Sequence, residues 1–183
     1  MSYEAALTRA WSELEEAGVK KNISIRLLSD EYTVDLEFKQ ILSLSCNTPP
    51  KDYIGILILH YLKKKLSGLP PIAGEWISFR QLEGGLGYYP AFKKRVIEPI
   101  LRKYGSSPAA IFELVERFGA KKVRVGDTSV LLDVFDGVPV LITLWRGNEE
   151  FGPEANVLFD KSVKDIFCTE DIVILAEFIA HNI

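Results

Sequence analysis

With 183 residues, 48% of them hydrophobic and 26% charged, the chain has the make-up of one folded domain with a sizeable core, not of a disordered segment. A formal net charge of −3 supplies no global field for nucleic acid, and two distant cysteines, Cys46 and Cys168, exclude a disulfide framework or a Cys-x-x-Cys metal site. No run approaches the roughly 20 apolar residues a bilayer span needs, and no signal-peptide core follows Met1. The expectation is a cytoplasmic protein with no nucleic-acid and no membrane partner.

Residues 2–17 read as an amphipathic helix, because Tyr3, Ala6, Leu7, Ala10, Trp11 and Leu14 follow helical spacing and Gly18 can close its C-terminus. Trp11 belongs to the core face. Ile23, Ile25 and Leu27 form a strand, Ser29-Asp30-Glu31 a turn, and Tyr32, Val34, Leu36 and Phe38 the apolar face of a second strand. Such alternation suits an antiparallel sheet with one wet face. Ile41 to Leu44 can continue it.

Thr48 and Pro49 have the chemistry of a helix start, with Asp52 in the first turn. The helix that follows is apolar nearly all round from Tyr53 to Leu62, and Lys63-Lys64-Lys65, Gly68 and Pro70-Pro71 end it. Trp76 to Phe79 make a short strand. Gly84, Gly85 and Gly87 then lead into a helix that Pro99 must kink or split. Another helix spans 108–118 with Ser107 as cap, and Val123 and Val125 suggest a strand.

The hairpin from Leu131 to Trp145 turns at Asp136-Gly137, a strong type I′ signal, and both faces of Val138 to Trp145 are apolar. A last helix starts at Thr169 with Glu170 and Asp171 in its first turn. Helices mixed with hairpin-linked strands give an α+β fold, one domain over residues 1–183, with an antiparallel sheet packed by about five helices.

The densest cluster of carboxylates and rings follows that hairpin: Trp145, Arg146, Glu149, Glu150, Phe151, Glu154 and then Asp160. Clustered acids suit a hard cation, but the favoured reading is a solvated loop in which Glu149 and Glu150 face water while Phe151 and Phe159 pack inward. Glu75, Trp76 and Arg80 are the second candidate group. Trp76 beside Glu75 can offer a flat ring and an acceptor to a polar ligand, whereas Arg80 is expected to bridge to a loop carboxylate. The glycines before Lys93, Lys94 and Arg95 could cradle an anion, although the P-loop ending is missing. His60, at the border of the apolar helix face, is a candidate base or axial ligand to cobalt or haem, or a satisfied border histidine. Cys168 is expected to be a buried inert thiol, and His181 has no role.

Several segments resemble the family catalogued as domain of unknown function number 3786. They are GEWISFRQL (Gly74 to Leu82), VPVLITLWRG ending at Gly147, EEF-x-PEA-x-VLFD (Glu149 to Asp160), and HYL at His60 to Leu62. The likeness spans nearly the whole chain. It departs at Asn148, where the family carries Asp, and at Gly152, where it carries Pro, which argues against a metal held by all the loop acids. Some relatives carry an added iron–sulfur domain, so the resemblance implies a link to corrinoid or one-carbon metabolism. Two separated cysteines cannot hold such a cluster.

The expectation is a binding or accessory domain for a small polar ligand or a metal-bearing cofactor, or for the protein that carries it. A site would be built from Glu75, Trp76, Arg80, Trp145, Glu149, Glu150, Phe151, Glu154 and Asp160. The alternatives are a carboxylate-based or metal-assisted hydrolase using Glu149, Glu150 or Glu154, and a protein-interaction module with an exposed apolar patch. The residues name no cofactor, no particular metal and no oligomeric state.

Overall fold

The computed structural model describes residues 3–15 and 22–183. Its strands form two antiparallel sheets: a meander in the order β1-β2-β3, and a five-stranded sheet in the order β4-β8-β7-β6-β5. The meander comprises β1 (Ile23–Leu27), β2 (Asp30–Asp35) and β3 (Gln40–Ser43). The larger sheet comprises β4 (Trp76–Ser78), β5 (Lys121–Val123), β6 (Thr128–Phe135), β7 (Val138–Trp145) and β8 (Glu154–Asp160). Five helical bodies pack around them among the described residues, so the fold is α+β. No described helix is long and apolar enough to cross a membrane.

β7 is the axis of the large sheet, paired on both edges, and every residue but Trp145 in it is buried. That explains its lack of alternation: both faces meet protein. The hairpin turn at Asp136-Gly137 is not the mirror-image type expected, since only Gly137 has positive φ (76°) and type I′ needs it at both positions. A register irregularity between Asp133 and Phe135 adjusts the strand ends instead. Arg26 joins the sheets, donating to Asp133 and Asp136 carboxylates at 3.1 and 2.9 Å, while the Leu28 amide donates to the Val134 carbonyl.

β2 stops earlier than its alternation suggests. The Asp35 carboxylate accepts from the Glu37 and Phe38 amides, an Asx turn that competes with the ladder, and Phe38 is left 75% exposed. The next helix, α2 (Asp52–Ser67), begins after Lys51 and not at Thr48-Pro49. Pro50 bars the helical conformation to the residue before it. α1 (Tyr3–Glu15) buries Ala10, Trp11 and Leu14, and the Gly18 closure expected for it lies outside the described residues.

α3 (Gly85–Phe92) and α4 (Glu98–Tyr104) form one continuous helix through a π-helical turn, Lys93–Ile97. Pro99 falls in the first turn of α4, so the π turn accommodates its missing N–H without splitting the rod. A 3-10 segment, Pro108–Phe112, precedes the short α5 (Glu113–Phe118), which together replace the single helix expected there. α6 (Thr169–Asn182) closes the described chain. One apolar cluster runs from Ala10 to Ile183, with Tyr61 stacked on Phe135 at 4.2 Å and Phe79 on Phe92 at 4.1 Å.

Candidate functional site

The acidic loop lies between β7 and β8, where Trp145 pairs with Glu154. Its shape is set by Asn148, whose side-chain oxygen accepts from the Glu150 and Phe151 amides. Glu149, Glu150 and Glu154 are exposed, as is Phe151 at 66%, so this ring does not pack inward as expected. Trp145 lies on the backbone of Gly126, whose positive φ and missing Cβ admit the indole.

Glu75, Trp76 and Asp160 sit at the other end of β8. Trp76 pairs with Asp160, six residues from Glu154, roughly 20 Å along an extended strand. Asp160 is buried and fully engaged: it accepts from the amides of Ala73 (2.9 Å), Gly74 (2.7 Å) and Ser162 (3.0 Å), and from the Ser162 hydroxyl (2.6 Å). Burial alone would raise its pKa, but the Ser162 hydroxyl and these amides outweigh that and hold it below the usual range. Its carboxylate fixes a corner. Glu75 is exposed and pairs with Lys161 at 2.8 Å, and Trp76 remains partly exposed on the edge strand.

Arg80 does not form the expected carboxylate bridge. It lies over the Tyr89 ring at 3.8 Å, and it shares a groove of about 630 Å³ with Lys93 and Glu154. The two stretches singled out in the sequence therefore meet in two places, Trp76 beside Asp160 on paired strands and Arg80 with Glu154 in this groove, while Glu149, Glu150 and Phe151 line neither.

A larger cleft, of about 870 Å³, opens between α1, α2, the start of α3 and α6. Each wall is a helical stripe. Tyr53, Ile56 and His60 stand at i, i+3 and i+7 of α2; Ala6 and Glu13 are one heptad apart on α1; Asp171 and Ile174 are i and i+3 on α6. Tyr3 and Tyr53 contact across the α1–α2 seam at 6.0 Å, and Glu13 ties the seam through Lys63 at 2.8 Å. Tyr88 and Arg95 complete the rim, with Arg95 donating to the Tyr88 hydroxyl and pairing with Glu177.

Within this cleft His60 Nδ1 lies 3.0 and 2.9 Å from the two oxygens of Asp171. The Asp171 side chain is 10% exposed and the imidazole 33%. The hydrogen bond to Asp171 raises the His60 pKa, more than burial lowers it, and the Asp171 and Glu13 charges add to the rise against Lys63. His60 Nε2 has no hydrogen-bond partner among the described residues. Cys168 donates its thiol to Asp171 at 3.3 Å. Cys168 is exposed and not buried as expected, yet the desolvation of its thiol, with the Asp171 charge, pushes it up to about 12, which makes it a poor nucleophile.

The glycine stretch contributes differently from an anion cradle. A Cβ on Gly85 would fall 2.0 Å from the Phe79 carbonyl oxygen, so this glycine serves close packing. The basic residues after it diverge, Lys93 toward the Arg80 groove and Arg95 toward the cleft.

The pairing of His60 with Asp171 escaped the sequence reading because 111 positions separate them and no spacing records the contact. One signal was present: each is a polar residue beside an apolar helical stripe, His60 next to Ile56 and Asp171 next to Ile174 and Leu175.

Two antiparallel sheets packed by helices, with a histidine-bearing cleft between α1, α2 and α6, define an α+β domain. A model of the family described as "Domain of unknown function (DUF3786)" matches residues 7–182, and the chain belongs to that family. No curated protein and no solved structure matches it.

Proposed function

We propose that this protein binds a small molecule in the cleft between α1, α2 and α6, with His60 as the polar contact that orients it. The observation that carries the reading is a cavity of about 870 Å³ holding a half-buried His60 fixed by a buried Asp171. Its size falls within the roughly 300–1,000 Å³ usual for ligand sites. Tyrosine rings and aliphatic side chains supply seven of its 17 lining residues, beside four carboxylates, two arginines and His60. Two free cysteines, Cys46 and Cys168, fit a reducing compartment, and we place the protein in the cytoplasm.

A metal-bearing cofactor, with the corrinoid or one-carbon link the family resemblance implies, is the second reading. One observation favours it: a metal-ligating histidine is oriented by a carboxylate on its other ring nitrogen, and Asp171 occupies that place on His60. Among the described residues no group of three or more His, Cys, Asp or Glu side chains could hold a metal ion. A metal would have to arrive with most of its coordination filled, as in a macrocycle or on a partner protein. The exposed Glu149, Glu150 and Glu154 lend no comparable support to a carboxylate hydrolase.

Thermal shift and NMR against small aromatics, nucleotides, metal salts and corrinoids test the proposal. We expect at least one class to bind saturably at Tyr53, His60 and Ile174, and Tyr53→Ala to weaken it about tenfold, or about 1.4 kcal/mol. Silence across the panel, or responses confined to the Arg80 groove, overturns it.

A further inference from the structure

The arrangement at His60 says more than that a ligand sits there. Asp171 holds Nδ1, so the imidazole presents one ring nitrogen, Nε2, to the cleft. In that tautomer Nε2 carries a lone pair, the position of a general base. A half-buried imidazole backed by a buried carboxylate can take up a proton and keep the resulting charge compensated. We propose that His60 accepts a proton from a neutral, planar ligand bearing a weakly acidic hydroxyl, a phenol or an enol, bound against the cleft tyrosines; this rests on the cleft being the ligand site.

The charges lining the cleft select that class. Glu13, Glu83, Glu170 and Asp171 share the lining with Arg9 and Arg95, and Lys63 also pairs with Glu13. Arg9 is already paired with Glu13, and Arg95 with Glu177. A preformed anion would enter against an excess of carboxylates and find no free guanidinium. A neutral hydroxyl that gives its proton to Nε2 leaves the total charge of the cleft unchanged. It ends as an oxyanion beside an imidazolium whose other N–H is held by Asp171. The ligand O–H bond breaks, its electron pair stays on oxygen, and the Nε2 lone pair forms the new N–H bond. No co-reactant is needed.

The groups that set His60's basicity come from three packed helices. Asp171 on α6 and Glu13 on α1 favour the protonated ring, and Lys63 on α2 opposes it. The flat ligand would lie between Tyr53 and Ile56 on one side and Ile174 on the other.

4-Nitrophenol is the probe, because its anion is yellow and its neutral form colourless. At a pH near the free dye's midpoint, the full-length protein should turn bound dye yellow, a shift of about tenfold in the ionised ratio, one pKa unit. His60→Gln should abolish the shift, and Asp171→Asn, which keeps the imidazole, should reduce it. NMR of the unaltered protein gives a readout independent of variant folding: bound dye should hold the His60 ring in its imidazolium form to higher pH. Dye that perturbs Tyr53 and Ile174 but keeps its free-solution colour overturns proton transfer and leaves the binding cleft standing. Dye that perturbs neither overturns the ligand class, while silence across the whole panel, or responses confined to the Arg80 groove, overturns the cleft itself.

Discussion

His60 and Asp171 sit on α2 and α6, two helices of the shared core, so their contact also bears on folding. The His60 pKa is raised in the folded state, so the pair stabilises most below the unfolded value of about 6.5, and that stabilisation is lost as pH rises through the folded value. Urea midpoints should therefore separate unaltered protein from Asp171→Asn more at about pH 6 than at about pH 9. Equal separation at both would mean that the pair is not charge-assisted. Thr143 offers a second test at this scale. Its hydroxyl is buried in β7 with no hydrogen-bond partner among the described residues. Thr143→Val should stabilise the protein by about 1 kcal/mol, read from the urea midpoint at constant slope.

Asp160 shows how an element boundary can look like a site. From the sequence it is an acid ending an acidic stretch; in the structure it caps the 3-10 turn after β8 and pins the Ala73-Gly74 backbone. Asp160→Asn should cost about 1–3 kcal/mol by loss of charge-assisted bonds, and leave 4-nitrophenol binding unchanged. Its depressed pKa adds acid lability: stability present above about pH 4 fades as pH falls through the folded value. The start of α3 is equally demanding. Gly85→Ala should destabilise by about 1–3 kcal/mol, because the Phe79 carbonyl must move away from the new Cβ. Periodicity located most elements, since Tyr53 to Leu62 and Val138 to Trp145 could only be interior. It misjudged those decided by local side-chain bonds, as at Asp35, or by proline sterics, as at Pro50 and Pro99.

At the scale of the whole molecule, the α+β class followed from hairpins alternating with helices. The position of the cleft did not, because it depends on which helices become neighbours. Glu149, Glu150 and Phe151 drew notice as a local cluster; the larger cavity draws one or two residues from each of several turns of α1, α2 and α6. A sequence reports concentration along the chain, and this site is concentrated only in space. α1 and α6 stand at opposite ends of the described chain, yet both wall the cavity. On the ribosome, where N-terminal segments emerge first at about 5–20 residues per second, all eight strands are made before the second of those walls exists. A nascent polypeptide halted between Asp160 and Thr169 would already hold every described strand and still lack one wall of the cavity, so on the proposed reading capture of a cleft ligand would report that translation has passed α6.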